Sequence, residues 1–311
     1  MHNQLHQTIL LEESIQSLNI KKNGIYIDCT FGYGGHSHKI LDKLGKKGKL
    51  YAIDQDPCSV KIAKKIVDCR FTIIHENFSN IDTICKTYNI KKKIDGIIVD
   101  LGVSTMQLMS KHRGFSFNVN GPLDMRMNPQ KGISATEWIK KSNTKTIYNV
   151  LKYFGEEKFA KKIALSITKQ KSIKPITTTQ ELAQIIYKNT TQKKQSKNPA
   201  TKSFQAIRIF INQELHAITM FLKKILKILN NKSRISIISF HSLEDRIIKN
   251  FMNQYSKKPI IPTGIPISEK KIHKMYKKKL KIFNKIKPQY QEIQKNPKSR
   301  SAILRTAEFQ K

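Results

Sequence analysis

The sequence predicts an α/β protein built on a doubly wound, mostly parallel seven-stranded sheet with a helical insertion, and three stretches carry that prediction. The segment Ile25 to Cys29 is short, apolar and β-branched, and it runs straight into Gly32, Gly34 and Gly35 and a helix-like stretch from Ser37 to Leu44. This reads as strand, tight turn and helix. Without a Cβ the turn backbone can approach a ligand, and the N–H groups at the helix start face its polar atoms. Lys49 to Asp54 is a second strand, ending in a carboxylate about 20 residues beyond the glycine turn, the spacing at which an acidic side chain meets ribose hydroxyls. Ile94 to Asp100 is nearly all apolar, as a strand buried on both faces is. In an open parallel sheet ligands lie beyond the carboxyl ends of the strands. The glycine turn, Asp54 and Asp100 are therefore expected to share one site, suited to a small, polar, adenosine-like molecule.

The remaining elements follow in order. His6 to Glu12 opens the chain and leads into an amphipathic helix to about Leu18, expected to cover one edge of the sheet. Asp54 has a second reading, as the cap of the helix that starts at Pro57. A third strand, Phe71 to His75, precedes Phe78, which fits either an adenine face or the core. From Lys111 to about Asn212 the alternation of strand and helix breaks down. Helices are expected over Thr136–Lys141, Thr144–Tyr153, Glu156–Lys171 and Thr179–Lys188, followed by a basic, breaker-rich run from Gln192 to Pro199. The expected organisation is a core of residues 1–110 and 213–311 with an inserted helical domain of residues 111–212. The core resumes with a helix from Glu214 to Leu229 and a fifth strand, Arg234 to Phe240, which His241 to Arg246 follows. Lys257 to Lys281 reads as a surface loop, and Lys281–Lys287 and Ser301–Glu308 as two last strands joined by a short helix near Tyr290, with Arg300 and Arg305 flanking the final one.

Composition bounds the function. The chain has 311 residues, 58 basic against 22 acidic, for a net charge of +36. Such a balance makes a polyanion the first partner to consider, because neutralising phosphates releases counterions. Only eight basic residues are Arg, and Ile and Asn are abundant, which suggests a drift toward A- and T-rich codons. The arginines are thereby the more informative cations, since a guanidinium offers a planar fork that ammonium cannot copy. No apolar run approaches the length of a membrane span and the N-terminus lacks signal-peptide character. The four cysteines form no CxxC pair, so they read as reduced thiols of a cytoplasmic protein, and no metal is expected.

Six stretches together resemble one family. Thr30–His36 (TFGYGGH), Asp100–Ser104 (DLGVS), Arg113–Phe117 (RGFSF), Gly121–Met127 (GPLDMRM), Ser203–Arg208 (SFQAIR) and Ile238–Arg246 (ISFHSLEDR) are similar, in kind and order, to the motif series of the bacterial ribosomal RNA small subunit methyltransferase H family, also called MraW. The resemblance runs from His6 to Glu308. It implies a class I, Rossmann-like enzyme that uses S-adenosylmethionine to methylate the exocyclic N4 amine of a cytidine in the decoding region of 16S rRNA in the small ribosomal subunit. By position it places cofactor contacts on Gly34, Gly35, His36, Asp54, Phe78, Asp100 and Gln107. The chain departs from the family pattern at Tyr33, at Thr105-Met106, at Asn120 and Asn128, and at Asn230–Ser233, where a Pro-Gly-Gly turn is usual.

The acceptor's chemistry assigns the rest. The lone pair of a cytosine amine is delocalised into the ring, so transfer needs an acceptor for its N–H, in-line positioning and a path for the proton. Asp100 is the catalytic candidate. Asp124 and Arg126 are read as substrate-orienting groups or as an internal salt bridge, Arg113 and Arg246 as further substrate contacts, His241 as a hydrogen-bonding partner of the substrate or a structural cap, and Trp138 as a stacking surface for a base or as core. His241 and Asp245 have no third ligand nearby in sequence to make a metal site. A base must leave its stack to react, a task that suits a helical insert. The competing classes are a DNA amino-methyltransferase, which lacks its Pro-Pro-aromatic motif here, and a non-catalytic RNA-binding assembly factor that retains the fold. A nicotinamide dehydrogenase fits less well, because the GxGxxG order is not kept. A homodimer is left open.

Overall fold

The computed structural model describes residues 8–190, 198–257 and 278–311. The chain divides into two compact units, residues 1–102 with 215–311, and residues 103–214. The core of the basic run after Gln192 and most of the expected loop from Lys257 to Lys281 lie outside the described residues, as does His6.

The first unit is a three-layer α/β structure. Strands β1 (Ile25–Asp28), β2 (Lys49–Asp54), β3 (Phe71–His75), β4 (Ile94–Asp100), β5 (Leu229–Ser239), β6 (Leu280–Ile282) and β7 (Ile303–Phe309) form one sheet in the order β3-β2-β1-β4-β5-β7-β6. The strands from β3 to β5 are parallel neighbours, and β7 runs antiparallel to both β5 and β6. The expected mixed, mostly parallel seven-stranded sheet is present. Alternation along the central strands sends one set of side chains to each face. On one face Ile98, Tyr26 and Leu50 meet Ile15 and Leu18 of α1 (Leu11–Leu18) and Ile40, Leu41 and Leu44 from α2 (Gly35–Lys43) and its end. On the other, Ile27, Ile97, Val99 and Ile237 pack with helices α4 (Ile81–Thr87), α11 (Glu214–Ile225) and α12 (Ser242–Ser256).

Three expectations are corrected. Helix α1 does not cover an edge: it packs on β4 and β5, near the middle of the sheet, and Ser17 Oγ lies 2.8 Å from Ser236 Oγ of β5. The fifth strand does not begin at Arg234: β5 starts at Leu229 and takes in Asn230–Ser233 as a register shift between the pairings Ile94 with Leu229 and Gly96 with Arg234. A bulge of this kind lets polar residues sit at a strand entrance without breaking the ladder downstream. Arg305 does not flank the last strand but stands within β7, its guanidinium forked onto Asp245 at 2.6 and 2.9 Å.

The second unit is helical: α5 (Thr105–Met109), α6 (Ala135–Lys141), α7 (Thr144–Gly155), α8 (Ala160–Ile173), α9 (Thr179–Asn189) and α10 (Ala200–Ile211). Its core draws Ile139, Ile147, Leu151, Ile163, Ile167, Leu182, Ile186, Phe204 and Ile207 from successive helices at helical spacing. Ser104, Ser134 and Thr178 open α5, α6 and α9 with reciprocal capping boxes, which satisfy N–H groups that a helix start otherwise leaves unpaired. No helix among the described residues is long and apolar enough to cross a membrane.

Candidate active site

The carboxyl ends of β2, β1 and β4 lie side by side and are laced together through the turn after β1. Phe31 N–H donates to Ile53 O at 3.0 Å and Gly32 N–H to Asp54 Oδ2 at 2.8 Å, tying the turn to β2. On the other side Cys29 N–H donates to Ile98 O at 2.9 Å, and Asp100 N–H donates to Thr30 Oγ1 at 2.7 Å. Asp28, buried at the end of β1, accepts from Thr30 N–H at 3.1 Å and from the Ser37 hydroxyl at 2.7 Å, which joins the turn to the first turn of α2. Gly34 sits at φ 82, a left-handed conformation natural to glycine, and a Cβ there would stand 2.6 Å from the Phe31 ring.

Three carboxylates thus converge around one turn. Burial pushes Asp28 and Asp54 up to about 6, and burial together with the charges of Asp28 and Glu244 pushes Asp100 well above the usual carboxylate range. Among the described residues Asp100 Oδ1 is buried with no hydrogen-bond partner. Such a group is costly unless a ligand completes it. Carboxylates held this far from their ordinary behaviour mark a place prepared for a positive charge or a shared proton.

The expected cofactor residues fall as follows. Gly34 is the N-cap of α2, and Gly35 and His36 open that helix, with His36 buried. Asp54 ends β2 and is not the cap of α3 (Pro57–Ala63): that role belongs to Asp56, whose side chain accepts from Cys58 N–H, while Asp54 accepts from Gly32 and Asp56 N–H. Phe78 follows β3 half-buried, edge-on to Phe221 at 5.6 Å, and the adjoining Asn77 donates to Gln55 Oε1 at 2.8 Å, one residue past Asp54. Gln107 lies in the second unit, where its buried side chain accepts from Ser104 N–H in the capping box of α5.

The expected substrate residues divide. His241 is the N-cap of α12: its ring Nδ1 accepts from Glu244 N–H at 3.4 Å and its Nε2 lies 3.1 Å from the Glu244 carboxylate, which also accepts from Phe240 N–H. This answers the sequence's alternatives in favour of capping. Arg246 is exposed on α12. In the second unit Asp124 and Arg126 form a two-pronged ion pair at 2.9 and 2.7 Å, and with Ile133, Ser134 and Glu137 they line an open cleft of about 450 Å³. Both partners belong to the helical unit, the internal ion pair the sequence also allowed. Arg113 Nη2 donates to the carbonyls of Arg126 and Met127, bracing the same loop around Met125, which is held at φ 62. Of its two readings Trp138 takes the core one: it is 4% exposed and packs on Phe210 at 5.2 Å.

Asp28 and Thr30 are the residues that sequence reading missed. The signal was present, a carboxylate closing an otherwise apolar strand immediately before the glycine turn.

The sequence has counterparts among known proteins. The sequence matches the MraW methylase family over residues 3–310. The ribosomal RNA small subunit methyltransferase H of Buchnera aphidicola subsp. Schizaphis graminum (strain Sg) is 56% identical over 304 residues, covering 98% of this chain and 97% of that protein. Its counterpart in subsp. Acyrthosiphon pisum (strain Tuc7) is 55% identical over 305 residues, 98% of either chain, and that of subsp. Baizongia pistaciae (strain Bp) 52% identical over 304 residues, 97% and 96%. A match that runs nearly end to end, with relatives identical at more than half their positions, makes this chain a member of the MraW methylase family.

Proposed function

We propose that this chain, a ribosomal RNA methyltransferase that uses S-adenosylmethionine, acts on the exocyclic N4 amine of a cytidine in the decoding region of 16S rRNA, in the cytoplasm. The observation that carries the reading is the convergence of Asp28, Asp54 and Asp100 on the glycine turn, with Asp100 Oδ1 buried and unpartnered among the described residues. That donor set fits a cationic nucleoside: Asp54 for ribose hydroxyls, the start of α2 at Gly34, Gly35 and His36 for its polar tail, and Phe78 for its purine. When bound, S-adenosylmethionine supplies an electrophilic methyl group on sulfur.

The chain's own residues then have to orient the amine and manage its proton. Asp100, held at the end of β4 by Thr30, accepts an N–H of the amine, which draws the nitrogen lone pair toward the methyl group, and takes the proton that the methylated nitrogen must lose. Its high proton affinity suits that last task. The helical unit is the proposed reader of RNA, with Arg113, Asp124 and Arg126 shaping its cleft.

The test is methyl transfer from radiolabelled S-adenosylmethionine to small-subunit particles, free 16S rRNA and duplex DNA, followed by nucleoside chromatography. Label in N4-methylcytidine from the small-subunit RNA is the expected result. Label in another nucleoside overturns the N4 assignment, and label in DNA overturns the substrate.

A further inference from the structure

The start of α2 is packed by the segment that precedes α1. A Cβ added to Gly35 would collide with the Thr8 side chain, whose Cβ would be 2.9 Å away and whose Oγ1 nearer still. Thr8 therefore lies directly on the first residue of α2. Two residues later Leu10 is held at φ 51, a left-handed conformation unfavourable to a residue with a Cβ. Its side chain is 1% exposed, in a cluster with Ile238, Ala302 and Leu304 at the same end of the sheet. Its N–H donates to Glu292 Oε1 at 2.9 Å, and its carbonyl accepts Ser14 N–H at the start of α1. Glu292 stands on α13 (Tyr290–Lys295), 282 residues away in sequence. Strained residues persist where their surroundings over-determine them, and they gather at ligand sites.

We propose that Glu292 is a positioning residue of the cofactor site: by holding Leu10 it seats Thr8 on Gly35 and keeps the first turn of α2 shaped for the donor molecule. The inference rests on the S-adenosylmethionine site proposed above and adds Thr8–Leu10 to its walls. Glu292 touches no reacting atom, and its influence passes through the backbone of Leu10.

The experiment is calorimetric titration of the full chain and its variants with S-adenosylhomocysteine, beside KM and kcat for S-adenosylmethionine. Glu292→Ala leaves the Leu10 N–H without its acceptor and is expected to raise Kd and KM about fivefold to tenfold, the effect of one hydrogen bond, with kcat at saturation little changed. Glu292→Gln keeps an acceptor oxygen and restores the affinity. Thr8→Ala, which leaves Glu292 in place, is expected to raise Kd in the same direction, and it decides the matter if Glu292→Ala does not fold. A lower melting temperature at wild-type Kd shows a role in stability alone and overturns the proposal, as does a Glu292→Gln variant as weak as Glu292→Ala. A wild-type chain that binds no S-adenosylhomocysteine overturns the cofactor site itself, a different failure.

Discussion

Thr30 Oγ1 accepts the backbone N–H of Asp100 across 70 positions of sequence, at 2.7 Å. The bond joins the turn after β1 to the end of β4, so the placement of Asp100 depends on a hydroxyl in the glycine turn. Thr30→Val keeps the shape and removes the acceptor. Leaving that N–H unpaired is expected to cost about 1 to 3 kcal/mol of stability, read from urea denaturation, and to lower kcat more than it raises KM for S-adenosylmethionine. Unchanged kcat in a stably folded variant would detach Asp100 from the chemistry.

Cofactor binding is expected to depend on pH in a way that distinguishes donor from product. Burial pushes Asp28 and Asp54 up to about 6. A sulfonium nearby favours the ionised carboxylates, so its binding releases protons and its affinity rises with pH through about 6, by at most about tenfold per pH unit for each proton released. S-adenosylhomocysteine has no sulfonium charge and should show a shallower dependence. Calorimetry in buffers of different ionisation enthalpy measures the released protons directly; equal slopes for the two ligands would place the sulfonium away from these carboxylates.

Asp28 carries a stability signature of its own. Its folded-state pKa, near 6, lies above the ordinary value of 3.8, so the folded chain binds the proton more tightly than the unfolded one. That contribution is complete below about pH 4 and is lost as pH rises through about 6. Asp28→Asn preserves size and polarity but removes the titration. Relative to this variant, the wild type is expected to lose on the order of 1 to 3 kcal/mol between pH 4 and pH 7. Denaturation curves at both pH values give the difference, and a wild-type-to-variant gap that stays constant would show that Asp28 titrates normally.

How far the sequence could be read depended on whether a residue's role was local. The bounds of β2, β3 and β4 follow from apolar, β-branched runs, and each observed strand coincides with the expected one. The turn and Asp54 were legible because a glycine cluster and a carboxylate at a given spacing impose backbone and chemistry on their own. The β5 entrance was not: Asn230–Ser233 has turn composition, and only pairing with β4 draws it into the sheet. Trp138 was ambiguous for a related reason. Its indole is equally suited to a core or a base, and the choice is made by Phe210, 72 residues on, which no local pattern reveals. His241 was resolved by an N–H three residues ahead, a capping relation its spacing to Glu244 already contained.

The lysine excess raises a last question, whether any of these cations has a defined place, and Lys171 gives an answer. From α8 its ammonium donates to the carbonyls of Ile139 at 2.9 Å, Lys140 at 3.1 Å and Ser142, closing the C-terminal end of α6. Those carbonyls have no partner within α6, and a cation there also meets the negative end of the helix dipole. Three N–H donors on one ammonium match three acceptors, a geometry that neither a solvated surface lysine nor a planar guanidinium reproduces. Lys171→Met keeps the aliphatic stem and deletes the charge. It is expected to destabilise the chain by about 1 to 3 kcal/mol, and Lys171→Arg to recover only part of that. A neighbouring exposed lysine such as Lys169, changed to Met, should stay within about 0.5 kcal/mol of wild type. Equal effects at both positions in urea denaturation would assign Lys171 to the undifferentiated basic surface.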